Sequence, residues 1–290
     1  MNMKLPITIG IILLALLTMG AANADDGEIK TASYFRSRAF NAPILDGWED
    51  QSTDDIAQFH LADAQATIRT ATVESGDAVA AAEADLAAST RLQVPPPIYS
   101  DKVNLADGTW HVLVYDLEAE TTASVMARKA GAHAVVISFV ERDPTARTVM
   151  LTLARADDAH EDAAHEIAVA IEAVAESLPS VMAQTERVNL PSGEWVTIAG
   201  EGLTAMGMVF GNDSYVALRE GAAGDLAALA DAYNRTLLGF FITPDNSHYL
   251  ALALAVVFVI LGTLVGSLFW RERGIQKDLA LLEALAEEDE

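Results

Sequence analysis

The sequence contains no cysteine, and only 18 of its 290 residues are lysine or arginine. The absence of cysteine excludes disulfide frameworks, cysteine-ligated zinc, iron–sulfur clusters and thiol catalysis. The 42 acidic residues give a formal net charge of −24, which repels phosphate backbones and argues against nucleic acid as a partner. Because 51% of the residues are hydrophobic, the chain can still bury a core in one large domain or two small ones.

The N-terminal segment, residues 1–24, has the pattern of a secretory signal peptide. Lys4 precedes an apolar stretch over residues 7–19, and Ala22-Asn23-Ala24 has the form of a cleavage site. The apolar stretch is too short to span a bilayer comfortably. We therefore predict cleavage after Ala24, followed by a linker over residues 25–36, with an uncleaved N-terminal anchor as the alternative.

A second apolar segment, residues 249–270, carries no charged residue. As a helix it extends over about 33 Å, which is enough for the hydrocarbon core of a bilayer. Aromatic residues lie at both of its ends, and Arg271 and Arg273 follow directly, as expected where a span reaches the cytoplasm. The sequence thus predicts a transmembrane helix over residues 248–270 and a cytoplasmic tail over residues 271–290.

This topology divides the charge between compartments. Residues 25–247 hold 35 acidic and 14 basic residues, a net charge of −21, and are predicted to be periplasmic or extracellular. The predicted location is the bacterial inner membrane, with one span contacting lipid. Since bacterial outer surfaces are themselves anionic, the acidic domain is expected to stand off the lipid.

One stretch of the sequence occurs twice. Residues 101–110 match residues 186–195 at an offset of 85 positions, and both begin with an acidic residue followed by a basic one. A Val-Asn-Leu run, a glycine and a tryptophan are identical. The structural residues that mark the two copies are Gly108, Trp110, Gly193 and Trp195. Duplication explains these matches better than chance, so we predict an internal repeat.

Each copy is predicted to form a β-meander followed by a helix. Glycine turns and aromatic-rich runs predict the following strands: 110–115, 123–127, 133–140, 195–199, 205–210 and 215–219. Apolar spacing at i, i+4, i+7 and i+11 predicts a helix over residues 157–178 at the end of the first copy, and a second helix is predicted over residues 225–241 at the end of the second. An alanine-rich helix is predicted upstream, over residues 77–92, after strand-like segments near Phe59 and Ile68.

These elements predict an α+β fold in which antiparallel sheets are flanked by helices. We expect an α/β sandwich domain over residues 37–184. A repeated half-domain over residues 185–247 is expected to pack against it, followed by the transmembrane helix.

The order of Phe40-x-x-Pro43, Gly47-Trp48, strands, an alanine-rich helix and Gly108-x-Trp110 over residues 37–180 resembles PsbP-like extracytoplasmic domains. The resemblance implies antiparallel sheets flanked by helices. It also implies an accessory or assembly role without catalysis.

Residues 248–286 resemble haem exporter protein D, a small membrane subunit of cytochrome c maturation. The similar features are Tyr249 at the outer end, one span, the basic flank at Arg271 and a Leu-x-x-Leu-Glu helix. The acidic residues 287–290 depart from the usually basic tail of that family. The resemblance implies an accessory role in haem export.

Two sequence motifs resemble known chemical sites, but their spacing or the element predicted after them does not fit such a site. His160 and His165 are five residues apart, about 140° around a helix, whereas zincins need a spacing of four. Gly200 and Gly202 match a dinucleotide fingerprint, but strand-like sequence follows instead of the required helix, which indicates a hairpin turn. We predict no catalytic, metal-binding or cofactor-binding residue, and no cofactor.

Within the predicted span, Gly262, Gly266 and Ser267 form a ridge of small residues that allows another helix to approach closely. The ridge predicts packing against a protein partner or against a second copy in a homodimer. The leading hypothesis is a non-enzymatic, membrane-anchored accessory, assembly or binding subunit of an envelope complex. The alternatives are an unrecognised envelope hydrolase or metal-dependent enzyme, and an accessory role in haem export.

Overall fold

The structure, a computed structural model, describes residues 33–155, 163–174, 185–200, 202–222, 224–242 and 247–288. The predicted signal peptide lies outside the described residues. The described strands are β1 (Tyr34–Arg36), β2 (Phe40–Pro43), β3 (Glu49–Asp50), β4 (Ile56–Leu61), β5 (Ala66–Glu74), β6 (Tyr99–Leu105), β7 (Gly108–Leu117), β8 (Thr121–Ala130), β9 (His133–Arg142), β10 (Ala146–Ala154), β11 (Thr185–Leu190), β12 (Gly193–Ala199), β13 (Leu203–Phe210), β14 (Asp213–Gly221) and β15 (Phe241–Ile242). The described helices are α1 (Ala78–Thr90), α2 (Ala163–Val174), α3 (Leu226–Gly239) and α4 (Ser247–Glu288).

The largest sheet has seven antiparallel strands in the order β3-β4-β5-β9-β8-β7-β6. Strand pairs that follow each other in the chain are joined by tight hairpins, as the predicted glycine turns require. β5 and β9 are separated by more than fifty residues but pair along their whole length, from Ala66 opposite Glu141 to Glu74 opposite His133. This long-range pairing brings the N-terminal hairpin next to the strands β7 to β9.

A second antiparallel sheet has the order β10-β14-β13-β12-β11. β10 pairs with β14 over nine residues, from Ala146 opposite Gly221 to Ala154 opposite Asp213. β10 belongs to the predicted domain 37–184 and β14 to the predicted half-domain 185–247. The two predicted domains therefore share one sheet, and the chain from Tyr34 onward forms one compact unit.

The two sheets enclose the main hydrophobic core. Side chains alternate along a strand, so Ile137 and Phe139 of β9 face the five-stranded sheet, which defines the inner face of the seven-stranded sheet. α3 contributes to this core, and the ring of Tyr233 lies 6.1 Å from that of Phe139. At one point the backbone N–H of Met150 in β10 donates to Ser124 Oγ on the inner face, at 2.8 Å.

The opposite, outer face of the seven-stranded sheet carries α1. Asp77 begins this helix as its N-cap, because its carboxylate accepts from the backbone N–H groups of Val79 and Ala80. Ala81 and Ala82 are buried against the sheet in a second core cluster, where their small side chains let the helix lie close. This helix covers only part of the outer face.

α4 is a continuous helix of 42 residues. The most apolar window of its stretch Leu252–Gln276 has a mean hydropathy of 2.6, and none of that window is buried. Among the described residues it is the one helix that is long and apolar enough to cross a membrane. α4 continues into the predicted tail as far as Glu288.

The α+β class with antiparallel sheets and flanking helices is confirmed. The six strands predicted in the two copies are present and extend by up to three residues at each end. The predicted helix over 157–178 is described only over Ala163–Val174, and its remaining residues lie outside the described part. Residues 34–36, predicted as linker, form β1 and pair with β2. β6, β10 and β11 were not predicted.

Candidate binding cleft and interaction surfaces

The two glycine–tryptophan hairpins have the same local geometry. Gly108 and Gly193 have φ values of +134° and +139°, a region that residues with a side chain rarely adopt. In both hairpins the glycine lies opposite a leucine, and the tryptophan two residues later lies opposite a valine. These four positions, which match in sequence, therefore also match in register.

Both tryptophans are structural residues of the main core. Trp110 is 2% exposed and Trp195 is 1% exposed. Each indole N–H donates to the side chain three residues earlier, to Asp107 Oδ1 at 2.8 Å and to Ser192 Oγ at 2.9 Å. A buried indole with its N–H satisfied packs the sheet end and is closed to ligands.

The predicted ridge of small residues lies on α4. A Cβ atom added to Gly262 or Gly266 would meet nothing within 4 Å. Ser267 and the apolar side chains along this helix are exposed, with Leu252 63% and Phe258 69% accessible. Within the described chain the ridge is thus open to another helix or to lipid.

The most buried ionic group joins the two sheets. Arg219 of β14 donates to Glu141 Oε1 of β9 at 2.5 Å and to Thr148 Oγ1 of β10 at 2.6 Å. It also donates to Asp143 Oδ2 at 3.0 Å. Arg219 and Glu141 are 5% and 1% exposed, so this network holds strands together.

Asp143 in this network and Asp213 at the start of β14 have opposite pKa shifts. Burial raises the pKa of Asp143, but hydrogen bonds from Thr145 and the charge of Arg219 outweigh it, and the pKa lies below its usual value. For Asp213, burial raises the pKa, and the opposing charge of Arg155 does not offset this. Ionised Asp143 therefore favours the folded state, whereas ionised Asp213 disfavours it.

The histidine pair and the glycine pair singled out in the sequence lie along the chain near α2 and near the turn between β12 and β13. His160 lies outside the described part, and His165 is exposed on α2. Glu166 is buried and accepts a hydrogen bond from Ser214 Oγ at 2.9 Å, which ties α2 to β14. Gly200 donates its backbone N–H to the carbonyl of Leu203 in the turn between β12 and β13, as the predicted hairpin requires. Among the described residues, no three metal-ligating side chains come together.

An open cleft, called here the outer cleft, lies on the outer face of the seven-stranded sheet beside the C-terminal end of α1. Its volume is about 250 Å³. Its floor is made by side chains of neighbouring strands, because Arg69 lies opposite Ser138 and Thr121 lies opposite Arg142 in the antiparallel registers. The end of α1, at Thr90, borders it.

Several residues around the outer cleft have a left-handed backbone conformation. Among the described residues, those other than glycine with positive φ are Gln65, Arg91, Ala119 and Glu120. Gln65 and Ala119 line the cleft, Glu120 follows Ala119, and Arg91 lies between two lining residues. Such a conformation costs on the order of 1–3 kcal/mol per residue and is concentrated at functional sites in proteins. The rim of this cleft therefore contains locally strained backbone.

Two arginines with different surroundings line the outer cleft. Arg69 donates through Nε and Nη2 to Asp85 at 3.0–3.3 Å and through Nη1 to Gln58 at 3.1 Å, so its charge is compensated. Arg142 is exposed, and its guanidinium has no ion-pair or hydrogen-bond partner among the described residues. No described lining residue is a carboxylate. The lining of the cleft therefore carries net positive charge, although the domain as a whole is acidic.

Hydroxyl groups complete the lining. Thr67 Oγ1 lies 3.1 Å from His60 Nδ1, and Thr121 Oγ1 donates to the Ala119 carbonyl at 3.1 Å. Ser138 is 1% exposed, and its hydroxyl has no partner among the described residues. A buried hydroxyl without a partner is costly, so it is prepared to bind a polar group.

Sequence reasoning missed this cleft. Its residues are far apart in the chain, and only the pairing of β5 with β9 places Arg69 beside Ser138. The available signal was the polar alternation of Thr67, Arg69 and Ser138 within otherwise apolar strands. No protein-family model matches the chain, and no curated protein is significantly similar to it.

Proposed function

We propose that this protein is a non-enzymatic, single-pass membrane-anchored accessory, assembly or binding subunit of a bacterial envelope complex. The domain over residues 25–247 lies outside the cytoplasm, and residues 271–290 lie inside. The observation that carries the proposal is α4, which follows the domain after a connection of a few residues and is exposed along its apolar stretch Leu252–Gln276. Apolar surface of this extent needs lipid or a partner to cover it.

The orientation rests on charge. Arg271 and Arg273 follow the uncharged residues 249–270, and cytoplasmic flanks are enriched in such residues. The net charge of −21 over residues 25–247 favours a domain that extends into solvent.

The accessory role is supported by how the buried ionic groups are used. Arg219 and Glu141 join the two sheets, and Glu166 joins α2 to β14. These groups stabilise the fold and do not line the outer cleft. The equal geometry of the hairpins at Gly108 and Gly193 supports a duplicated scaffold, which provides rigid surfaces for binding.

The test is affinity purification of the full chain from membranes in mild detergent, compared with a chain ending at residue 248. We expect the full chain to stay in the membrane after carbonate washing and to retain a partner, and the truncated chain to be released. If neither chain retains a partner, the accessory role is contradicted. If the full chain is washed off, the anchor is contradicted.

The ridge has its own matched pair of variants. Gly266→Leu adds bulk on the ridge, whereas Ala253→Leu adds the same side chain on the opposite side of the helix. We expect Gly266→Leu to reduce recovery of the partner or of a second copy, and Ala253→Leu to leave it unchanged. Equal recovery with both variants would contradict helix packing through the ridge.

A further inference from the structure

We propose that the outer cleft binds a small monocarboxylate that carries hydroxyl groups, the chemical class of sugar acids and hydroxy acids. This inference goes beyond the anchoring and accessory role and does not depend on it. It rests on the juxtaposition of a free guanidinium, an unpartnered buried hydroxyl and a strained rim around one open cavity.

The charge of the ligand follows from the two arginines. Arg69 is compensated by Asp85 behind it, so the lining presents one uncompensated cation, Arg142. One free guanidinium fits the single charge and planar shape of a carboxylate, with two parallel hydrogen bonds. A phosphate monoester carries close to two charges and would leave one of them unpaired. Arg91 lies beside the cleft and adds to the positive potential, while Glu120 lies in the rim turn outside the lining.

The body of the ligand follows from the rest of the lining. The hydroxyls of Ser138, Thr67 and Thr121 lie on three neighbouring strands and face the cavity. Only that of Ser138 lacks a partner among the described residues, so it is the one most ready to bind a ligand hydroxyl. Val140 and Leu92 provide apolar surface for a carbon skeleton.

The size of the ligand follows from the volume. The cavity measures about 250 Å³. Sites for drug-sized ligands measure roughly 300–1,000 Å³, so this cleft takes a smaller molecule. A single sugar acid is of suitable size, whereas a longer chain would project into solvent.

Backbone hydrogen bonds hold the rim of the outer cleft in position. The backbone N–H of Arg142 donates to the carbonyl of Gln65 at 3.1 Å, and that of Asp143 donates to Glu120 at 3.2 Å. Both carbonyls belong to left-handed residues in turns that precede β5 and β8. The turns and the end of β9 thus form one frame, which positions Arg142 before a ligand arrives.

The experiment is calorimetric titration of the full chain in detergent micelles with glucuronate, and with glucose as the uncharged counterpart. We expect saturable binding of glucuronate and at least tenfold weaker binding of glucose. Arg142→Gln is expected to weaken glucuronate binding about tenfold or more, because hydrogen bonds to a charged group are lost.

Arg36→Gln is the matched control, because Arg36 is an exposed arginine of β1 that does not line the cleft. It is expected to leave binding unchanged. Arg142 has no partner in the described chain, so Arg142→Gln is expected to keep the melting temperature of the parent and thus to report on binding alone. The proposal is overturned if glucuronate shows no saturable binding, if glucose binds equally well, or if Arg142→Gln binds like the parent.

Discussion

The two faces of the seven-stranded sheet are used differently. The inner face is closed by the five-stranded sheet and α3, and its buried charges pair across the core, as Arg219 does with Glu141. The outer face is covered by α1 over one part and is open at the outer cleft over the rest. The closed face therefore stabilises the fold, and the open part is where we propose binding.

The largest effect is expected from breaking the ion pair on the inner face. Arg219→Met leaves the Glu141 carboxylate buried without its partner, which costs about 3–5 kcal/mol of unfolding free energy. The double variant with Glu141→Leu is expected to recover most of this loss, because no buried charge then remains. Urea denaturation of the two variants checks this. A single variant as stable as the parent would show that the pair does not hold the sheets.

A smaller effect is expected where α1 joins the outer face. Asp85→Ala removes the acceptor of Arg69 and is expected to cost about 2 kcal/mol of unfolding free energy. The same change leaves Arg69 uncompensated at the outer cleft. We therefore expect glucuronate to bind severalfold more tightly while the melting temperature falls. Tighter glucuronate binding together with lower stability would show that Asp85 stabilises the fold but opposes ligand binding. A glucuronate affinity that falls along with the stability would contradict this.

The smallest effects are expected from two aspartates, Asp143 in the buried network and Asp213 at the start of β14. The pKa of Asp143 is lowered in the folded state, so its ionised form stabilises the fold at neutral pH, and this stability is lost as pH falls through the folded pKa. Asp143→Asn should lower the melting temperature at pH 7, with a difference that shrinks as pH falls below 3.8 through the lowered folded pKa.

The pKa of Asp213 is raised instead, so its ionised form opposes folding at neutral pH. Asp213→Asn should raise the melting temperature at pH 7 and have no effect once both states are protonated, near pH 3. Melting curves of both variants between pH 3 and pH 7 check the two signs. Shifts of the same sign at pH 7 would contradict the assignment.

The local elements of the fold were predictable because their signals are local. Glycine turns at Gly131 and Gly211 and alternating apolar residues located the meander strands, and the alanine-rich run after Asp77 located α1. β10 was missed because its sequence carries no hairpin signal that links it to β14, which follows about sixty residues later. Sheet membership is a long-range property, so the pairing of β10 with β14 has no local signal in the sequence.

The candidate site was beyond prediction for the same reason. Arg69 and Ser138 become neighbours only through the register of β5 with β9, and a slip of one strand by one residue would place the two side chains on opposite faces. The uncovered part of the outer face depends on where α1 ends, at Thr90, relative to the strands beneath it. The single charge of the cleft depends on Asp85 lying behind Arg69, which no spacing in the sequence indicates.

Two consecutive residues of β9 test the division between the faces most directly. Ser138 faces the outer cleft and Phe139 faces the core, so Ser138→Ala and Phe139→Leu change opposite sides of one strand. The measurement is the melting temperature and the glucuronate affinity of both variants, at a temperature where both are folded.

We predict that Ser138→Ala keeps or slightly raises the melting temperature, because it removes an unpartnered hydroxyl, and that it weakens binding severalfold. Phe139→Leu is predicted to lower stability by about 1–2 kcal/mol and to leave binding unchanged. Unchanged binding in Ser138→Ala, or equal loss of binding in both variants, would contradict the account.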